Sequence, residues 1–261
     1  MKTFQPIELQ VKPISHGHFP LVCTPLVGRT ADEVMAELQV ILPKKPDVLE
    51  WRVDFFEAIG NTASVVQLAK AIKRAAPDLL VLFTRRSSEE GGEAIPLTED
   101  QVIALYEAVC ESNGIDWIDY EMSHPPAHIA KVRAASCANG IQLVLSWHDF
   151  SGTLSQPLLI QKFLQAQQLG ADVAKVAVMP HTMDDVLTLL MATRQASSLL
   201  NIPIISLSMG HYGVITRLMG WTLGSALTFA VGAESSAPGQ VPIEDMHTVL
   251  QILRKSMVNA L

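Results

Sequence analysis

The sequence predicts an α/β fold, a (β/α)8 barrel, and three observations carry that expectation. Eight short apolar or β-branched runs recur along the chain. Each is followed by a segment with helical spacing, and strand–helix alternation implies parallel strands joined by right-handed crossovers. The length, 261 residues, matches the ~250 typical of eight such units closed on themselves. An open doubly wound sheet is the competitor. It usually carries a Gly-rich phosphate loop after its first strand, and Val27-Gly28-Arg29 is not one.

The elements follow in order. Leu21–Val27 leads to the helix Thr30–Leu42, where Thr30 and Glu33 have capping-box spacing. Val48–Phe55 leads to Thr62–Ala75, and Leu79–Arg85 to Thr98–Ser112. Trp117–Met122 precedes Pro126–Ala138, and Leu143–Phe150 precedes Ser155–Gln168. Val173–Met179 is followed by Thr182–Leu199, whose first turn holds Asp184 and Asp185, where acids suit the helix dipole. Ile204–Met209 leads to His211–Gly220, and Ala226–Gly232 to Pro242–Ser256. Before the first strand, Ile7–Val11, Pro13 and Ile14 read as a short hairpin. The expectation is one barrel domain over 1–261, with residues 1–20 as a hairpin extension that covers the barrel's bottom.

Composition bounds the function. Lys plus Arg number 19 and Asp plus Glu 26, a net charge of −7, with 49% hydrophobic and 17% charged residues. Such a chain buries a sizeable core, which excludes wholesale disorder. The acidic balance argues against a nucleic-acid binder, though local arginines can still hold an anionic substrate. Cys23, Cys110 and Cys137 are odd in number and widely spaced, which fits neither a disulfide framework nor a zinc motif. The apolar uncharged stretch Leu218–Ala233 is too short to span a ~30 Å hydrocarbon core, and residues 1–20 hold no apolar run of signal-peptide type. The expectation is a cytoplasmic protein that acts on a small molecule, without nucleic acid or membrane.

A barrel carries its chemistry at the C-terminal ends of its strands. Polar residues late in strands are therefore the informative ones. In Val48-Leu-Glu50-Trp-Arg52-Val-Asp54 the alternation puts Glu50, Arg52 and Asp54 on one face, which suggests an ion-paired cluster at the mouth. The third strand ends in Thr84-Arg85-Arg86 and runs into Ser87-Ser-Glu-Glu90-Gly-Gly92-Glu93, a loop that could contact a ligand or simply be solvated. Ser146 and His148 share a face of the fifth strand, and a histidine there is a natural general base or a hydrogen-bonded core residue.

Lys175 is the sharpest feature, since it lies among Val173, Ala174, Val176 and Ala177. Lysine is rarely buried without reason. A neutral buried amine can attack a ketone to form a Schiff base, and the bland alternative is a lysine paired with a strand-end carboxylate. Arg217 falls a turn beyond the loop after the seventh strand, and Ser236 and Gln240 flank a Pro-Gly loop after the eighth. His16, His18, His124 and His128 lack further ligands at metal spacing, so no metal site is expected.

The motifs LEWRVD, LFTRRSSEEGGE, SWHDF, AKVAVMP, SLSMG and SAPGQ, in this order and at these strand ends, resemble the type I 3-dehydroquinate dehydratase family over almost the whole chain. The resemblance implies dehydration of 3-dehydroquinate to 3-dehydroshikimate. It implies that Lys175 forms an imine with the C3 ketone. It further implies that His148 removes a C2 proton and then helps the C1 hydroxyl leave, with Glu90 tuning that histidine. Glu50, Arg52, Arg86, Arg217, Ser236 and Gln240 match substrate-binding positions, with Arg217 against the substrate carboxylate. No cofactor or metal is implied, and a homodimer is. The chain departs from the family pattern at His211, Thr216 and Trp147, where a lysine, a serine and a smaller polar residue are common. A class I aldolase-type lyase and a catalytically silent metabolite sensor are the alternatives on the same barrel.

Overall fold

The computed structural model describes residues 19–258. The expected hairpin lies outside the described residues. Eight parallel strands alternate with eight helices: β1 Leu21–Leu26, α1 Ala31–Ile41, β2 Val48–Arg52, α2 Thr62–Ala75, β3 Leu80–Thr84, α3 Glu99–Cys110, β4 Trp117–Glu121 and α4 Pro126–Ala138 in the first half. The second half holds β5 Gln142–Asp149, α5 Gln156–Gln168, β6 Val173–Val178, α6 Met183–Leu199, β7 Ile204–Ser208, α7 Val214–Met219, β8 Leu227–Val231 and α8 Ile243–Val258. A two-residue strand, β9 Val241–Pro242, lies between β8 and α8 in sequence.

The strands pair in the order β7-β6-β5-β4-β3-β2-β1-β8-β9, so each strand from β1 to β7 neighbours the next and β8 returns to β1. Closure between β7 and β8 is slight but present. Ile204 bridges Ser225, Ala226 N donates to Ile204 O at 2.8 Å, and Ser206 N donates to Ser225 Oγ at 3.0 Å.

The period of two along each strand sorts the residues. One apolar cluster takes members from all eight strands, among them Cys23, Val48, Leu82, Trp117, Val144, Val173, Leu207 and Phe229; it fills the barrel. The residues of opposite parity, such as Trp51, Phe83, Ile118, Leu145 and Val176, pack outward against the helices in a second, larger cluster. Helix starts agree with their sequences. Thr30, Thr98 and Thr182 each close a full capping box, and Asn61 caps α2 through Ser64 N at 3.2 Å.

Two elements end earlier or start later than their sequences suggest. β2 stops at Arg52, because the backbone there turns into a short 3-10 segment over Val53–Phe55. Asp54 therefore folds back beneath Arg52 instead of continuing the strand. α7 begins at Val214, since a tight turn with Gly213 N donating to Gly210 O at 3.2 Å occupies the expected first helical turn.

Candidate active site

Because the inward parity persists to the strand ends, the barrel's apolar fill gives way to polar side chains at its C-terminal mouth. β2 contributes Glu50 and Arg52, β4 Asp119 and Glu121, β5 Ser146 and His148, and β6 Lys175; all but His148 are buried. The loops add Arg86 and Glu90 after β3 and Ser236 and Gln240 after β8, while Arg217 reaches in from α7. All nine residues expected from the sequence line one cavity: Glu50, Arg52, Arg86, Glu90, His148, Lys175, Arg217, Ser236 and Gln240. It encloses about 500 Å³ including its open mouth, and Phe150, Leu207, Met209 and Phe229 supply its apolar walls.

Lys175 is 4% exposed. Its Nζ donates to Asp119 Oδ2 at 2.8 Å, stands 3.6 Å from Glu50 Oε1, and sits 4.8 Å above the Phe229 ring. The lysine thus has the strand-end carboxylate partner that was its bland reading, and it also faces the cavity. Glu50 is held from the other side by Thr84 Oγ1 at 3.1 Å. Burial alone would raise the Asp119 carboxyl, but Arg86 and Lys175 outweigh it and hold the group well below the usual carboxylate range. Asp119 therefore stays a carboxylate beside the Lys175 amine.

Arg86 is the hub of the mouth. It donates to Glu121 Oε1 and Ser146 Oγ at 2.9 Å each, pairs with Asp119 at 2.8 Å, and lies 3.7 Å from Glu90. Ser146 Oγ in turn donates to Asp119 Oδ1 at 2.6 Å. Burial opposes the charge on Arg86, yet Asp119, Glu121 and Glu90 overcome it and raise its pKa further. Arg52 makes a bidentate pair with Asp54, Nε at 2.8 Å and NH2 at 2.7 Å, with both side chains almost fully buried. The mouth cluster expected from β2 therefore forms, but with Asp54 contributed by the turn after the strand.

His148 Nδ1 lies 2.8 Å from Glu90 Oε2, and His148 N donates to the same oxygen at 3.0 Å. Ser123 Oγ donates to Glu90 Oε1 at 2.8 Å. A carboxylate at Nδ1 fixes the tautomer with its proton there, which leaves Nε2 as the free base on the cavity side. Burial, and then the Glu121 carboxylate, push the Glu90 carboxyl up to about 7. Burial again, and then Arg86 and Lys175, hold the His148 imidazole well below its ordinary 6.5. Both shifts have the same origin: a closed, charged pocket resists putting net charge on this pair.

The loop that delivers Glu90 needs its two glycines. Gly91 adopts φ 88°, in the left-handed region, and a Cβ on Gly92 would sit 2.1 Å from the Arg86 carbonyl oxygen. Gly92 N closes the turn onto Ser87 O at 2.7 Å.

Arg217 is 2% exposed and largely unpaired. NH2 donates to Pro238 O at 3.1 Å, while Nε and NH1 have no protein partner. Burial lowers its pKa to about 10. A buried guanidinium with free donors on a cavity wall is a receptor for a carboxylate, which would supply the missing acceptors. Gln240 straps the loop after β8: its Nε2 donates to Ser236 Oγ and its Oε1 accepts from Ser236 N, each at 3.2 Å.

Asp119, Glu121 and Ser123 are the site residues that the sequence reading missed. The signal for the first two was present in Trp117-Ile-Asp119-Tyr-Glu121, the same inward alternation of charge that marked β2. Among the described residues, no group of three or more His, Cys, Asp or Glu side chains could hold a metal ion, and no helix is long and apolar enough to cross a membrane.

The fold and the site together define a barrel enzyme with a buried lysine and a carboxylate-oriented histidine on one substrate cavity. A sequence-family profile described as Type I 3-dehydroquinase matches residues 22–257. A 3-dehydroquinate dehydratase of Albidiferax ferrireducens is 66% identical over 257 residues, covering 98% of this chain and 97% of the relative. The crystal structure of 3-dehydroquinate dehydratase from Geobacillus kaustophilus superposes with a TM-score of 0.93 at 45% identity, covering 96% of this chain and 97% of the other. A type I 3-dehydroquinate dehydratase from Clostridium difficile, solved with covalently modified comenic acid, gives 0.92 at 33% identity and covers 97% of this chain and all of the other. The chain belongs to the type I 3-dehydroquinase family.

Proposed function

We propose that Lys175 and His148 carry the family's reaction, the dehydration of 3-dehydroquinate to 3-dehydroshikimate in the shikimate pathway, through a covalent imine. The observation that carries this reading is the pairing within one cavity of a buried lysine amine with a histidine whose Nδ1 is fixed by Glu90. Nζ bonds to the C3 carbon and gives up two of its ammonium protons to the carbonyl oxygen, which departs as water and leaves a protonated imine. The iminium then draws electrons from C2, which acidifies its C–H bond. His148 Nε2 takes that C2 proton, and the imidazolium returns it to the C1 hydroxyl as the C1–O bond breaks and water departs. Hydrolysis of the product imine releases 3-dehydroshikimate and restores the lysine.

The other roles are those the family resemblance implies, and their place on one cavity supports them. Arg217 takes the substrate carboxylate, and Glu50, Arg52, Arg86, Ser236 and Gln240 take its hydroxyls. The four cations lining the cavity, Arg52, Arg86, Lys175 and Arg217, suit an anionic substrate despite the acidic chain. The covalently modified comenic acid named for the Clostridium difficile relative supports covalent chemistry at this site. Family membership favours dehydration over the aldolase reading, and an intact lysine–histidine set weighs against a silent sensor. We also propose a cytoplasmic homodimer. Met183, Leu187 and Met191 form an exposed apolar stripe along α6, a face suited to a second copy.

Glu90→Gln tests the acid–base assignment. In the wild type the working form has Glu90 ionised and Nε2 free. As pH falls through about 7 the pair gains a proton, which either charges the imidazole or forces its proton onto Nε2. The rate constant kcat/KM should therefore fall on the acid side with an apparent pKa near 7. With glutamine that titration is gone, and the fall should move below 6.5, where His148 itself titrates. The plateau rate should drop roughly 10- to 100-fold, since the imidazolium loses its counter-charge. An unmoved acid side would remove Glu90 from the pair.

A further inference from the structure

Phe150, one of the apolar walls of the cavity, also meets the loop that carries Glu90. It follows β5 by one residue and remains 40% exposed, although it is large and apolar. It is two residues beyond His148. Its ring lies directly over Gly91, the residue after Glu90: a Cβ built on Gly91 would come within 2.4 Å of Phe150 Cζ and 2.5 Å of Cε2. Both Gly91 and Phe150 line the mouth of the substrate cavity beside Glu90 and His148. The loop after β3 and the end of β5 are therefore joined twice. Inside, Glu90 holds His148 at 2.8 and 3.0 Å. Outside, the ring covers the backbone of the adjoining residue.

We propose that Phe150 is a positioning residue of the dehydratase, which seals the Glu90–His148 pair from water and fixes the separation of the β3 loop and the β5 end that carry it. The inference rests on the reading of that pair as the acid–base couple. Three features make the seal work only in this arrangement. Gly91 has to lack a side chain for the ring to reach its backbone, and its φ of 88° lies in the left-handed region that glycine adopts freely. Glu90 is 4% exposed, although it comes from a loop whose neighbour Glu89 is exposed. The charged groups that face the pair are Arg86 from the end of β3, Asp119 and Glu121 from β4, Lys175 from β6 and Arg52 from β2. Phe150 adds an apolar ring to that charged surround, over the residue next to Glu90 and at the same cavity. Burial is the largest influence on both members of the pair, so the group that excludes water there governs their proton affinities.

The test compares Phe150→Ala, Phe150→Leu and Glu90→Gln with the wild type, by pH profiles of kcat/KM and by the infrared carbonyl stretch of the protonated carboxyl that Glu90→Gln removes. With alanine, water reaches the pair. The Glu90 carboxyl signal should titrate at lower pH by about one unit, kcat should fall roughly tenfold, and the acid side of the profile should move down. Leucine keeps an apolar cover and should restore most of both. In the Glu90→Gln background, adding Phe150→Ala should cost less than threefold, because there is no longer a carboxylate to keep dry. A ring that only packs against substrate would raise KM and leave the Glu90 titration unmoved, which overturns the inference. If Glu90→Gln itself changes neither rate nor profile, the acid–base reading fails first.

Discussion

Lys175→Ala is expected to abolish turnover, by roughly 10⁴-fold or more, the scale on which removal of a covalent nucleophile acts. Without Nζ there is no iminium, and the C2 proton of the bare ketone is far less acidic. The fold should survive. Asp119 would lose one of its two cationic partners, yet it keeps Arg86 at 2.8 Å and the hydrogen bond from Ser146 at 2.6 Å. Breaking a buried ion pair outright costs ~3–5 kcal/mol, and the retained contacts keep the loss well below that. Lys175→Met retains most of the side-chain volume over Phe229 and should be equally inactive with an almost unchanged melting temperature. Steady-state assay with 3-dehydroquinate, run beside thermal melts, separates chemistry from stability. Turnover near wild type in either variant would remove Lys175 from the mechanism.

His148→Ala is expected to slow turnover by roughly 10²–10⁴-fold, the usual contribution of a general acid–base group. This loss differs in kind from that of Lys175. The amine remains, so the imine still forms in part and accumulates because the C2 proton has no acceptor. A reductive trap should therefore label His148→Ala while labelling nothing in Lys175→Ala. Solvent exchange of the C2 proton of 3-dehydroquinate should be lost along with turnover. A variant that still exchanges that proton at the wild-type rate would place the base elsewhere.

The sequence made most of this site legible because a barrel strand has a strict period of two. Once Glu50, Arg52, His148 and Lys175 are read as late inward positions, their convergence at one mouth follows from parallel strands in register. The same rule extends to Asp119 and Glu121, the partners of Lys175 and Arg86. They were missed because a charged residue in a strand flanked by tryptophan and tyrosine reads first as part of an aromatic core. Asp54 was placed on the correct face but on the wrong element. Its role depends on the turn after Arg52, and no strand alternation encodes a 3-10 segment. Ser123 and the Phe150–Gly91 contact depend on how two loops meet across the mouth, separated in sequence by more than thirty residues. That information lies in the tertiary arrangement, and only the demand for glycine at 91 leaves a local trace.

The electrostatics explain why the chain's net charge of −7 misleads about its ligand. The acids behind the cavity wall are consumed in pairing with the cations that line it: Asp54 with Arg52, Asp119 with Lys175 and Arg86, Glu121 with Arg86. Among the four cations that line the cavity, only Arg217 has buried donors without a partner. Its unpaired guanidinium, more than the count of charges, defines the substrate as a carboxylate.

Borohydride reduction of the protein mixed with 3-dehydroquinate, followed by digestion and peptide mass spectrometry, tests the lysine imine most directly. A stable adduct is expected on the peptide that carries Lys175 and nowhere else, present in the wild type and in His148→Ala, and absent from Lys175→Met. Full turnover with no trapped adduct, or an adduct on another lysine, would contradict it.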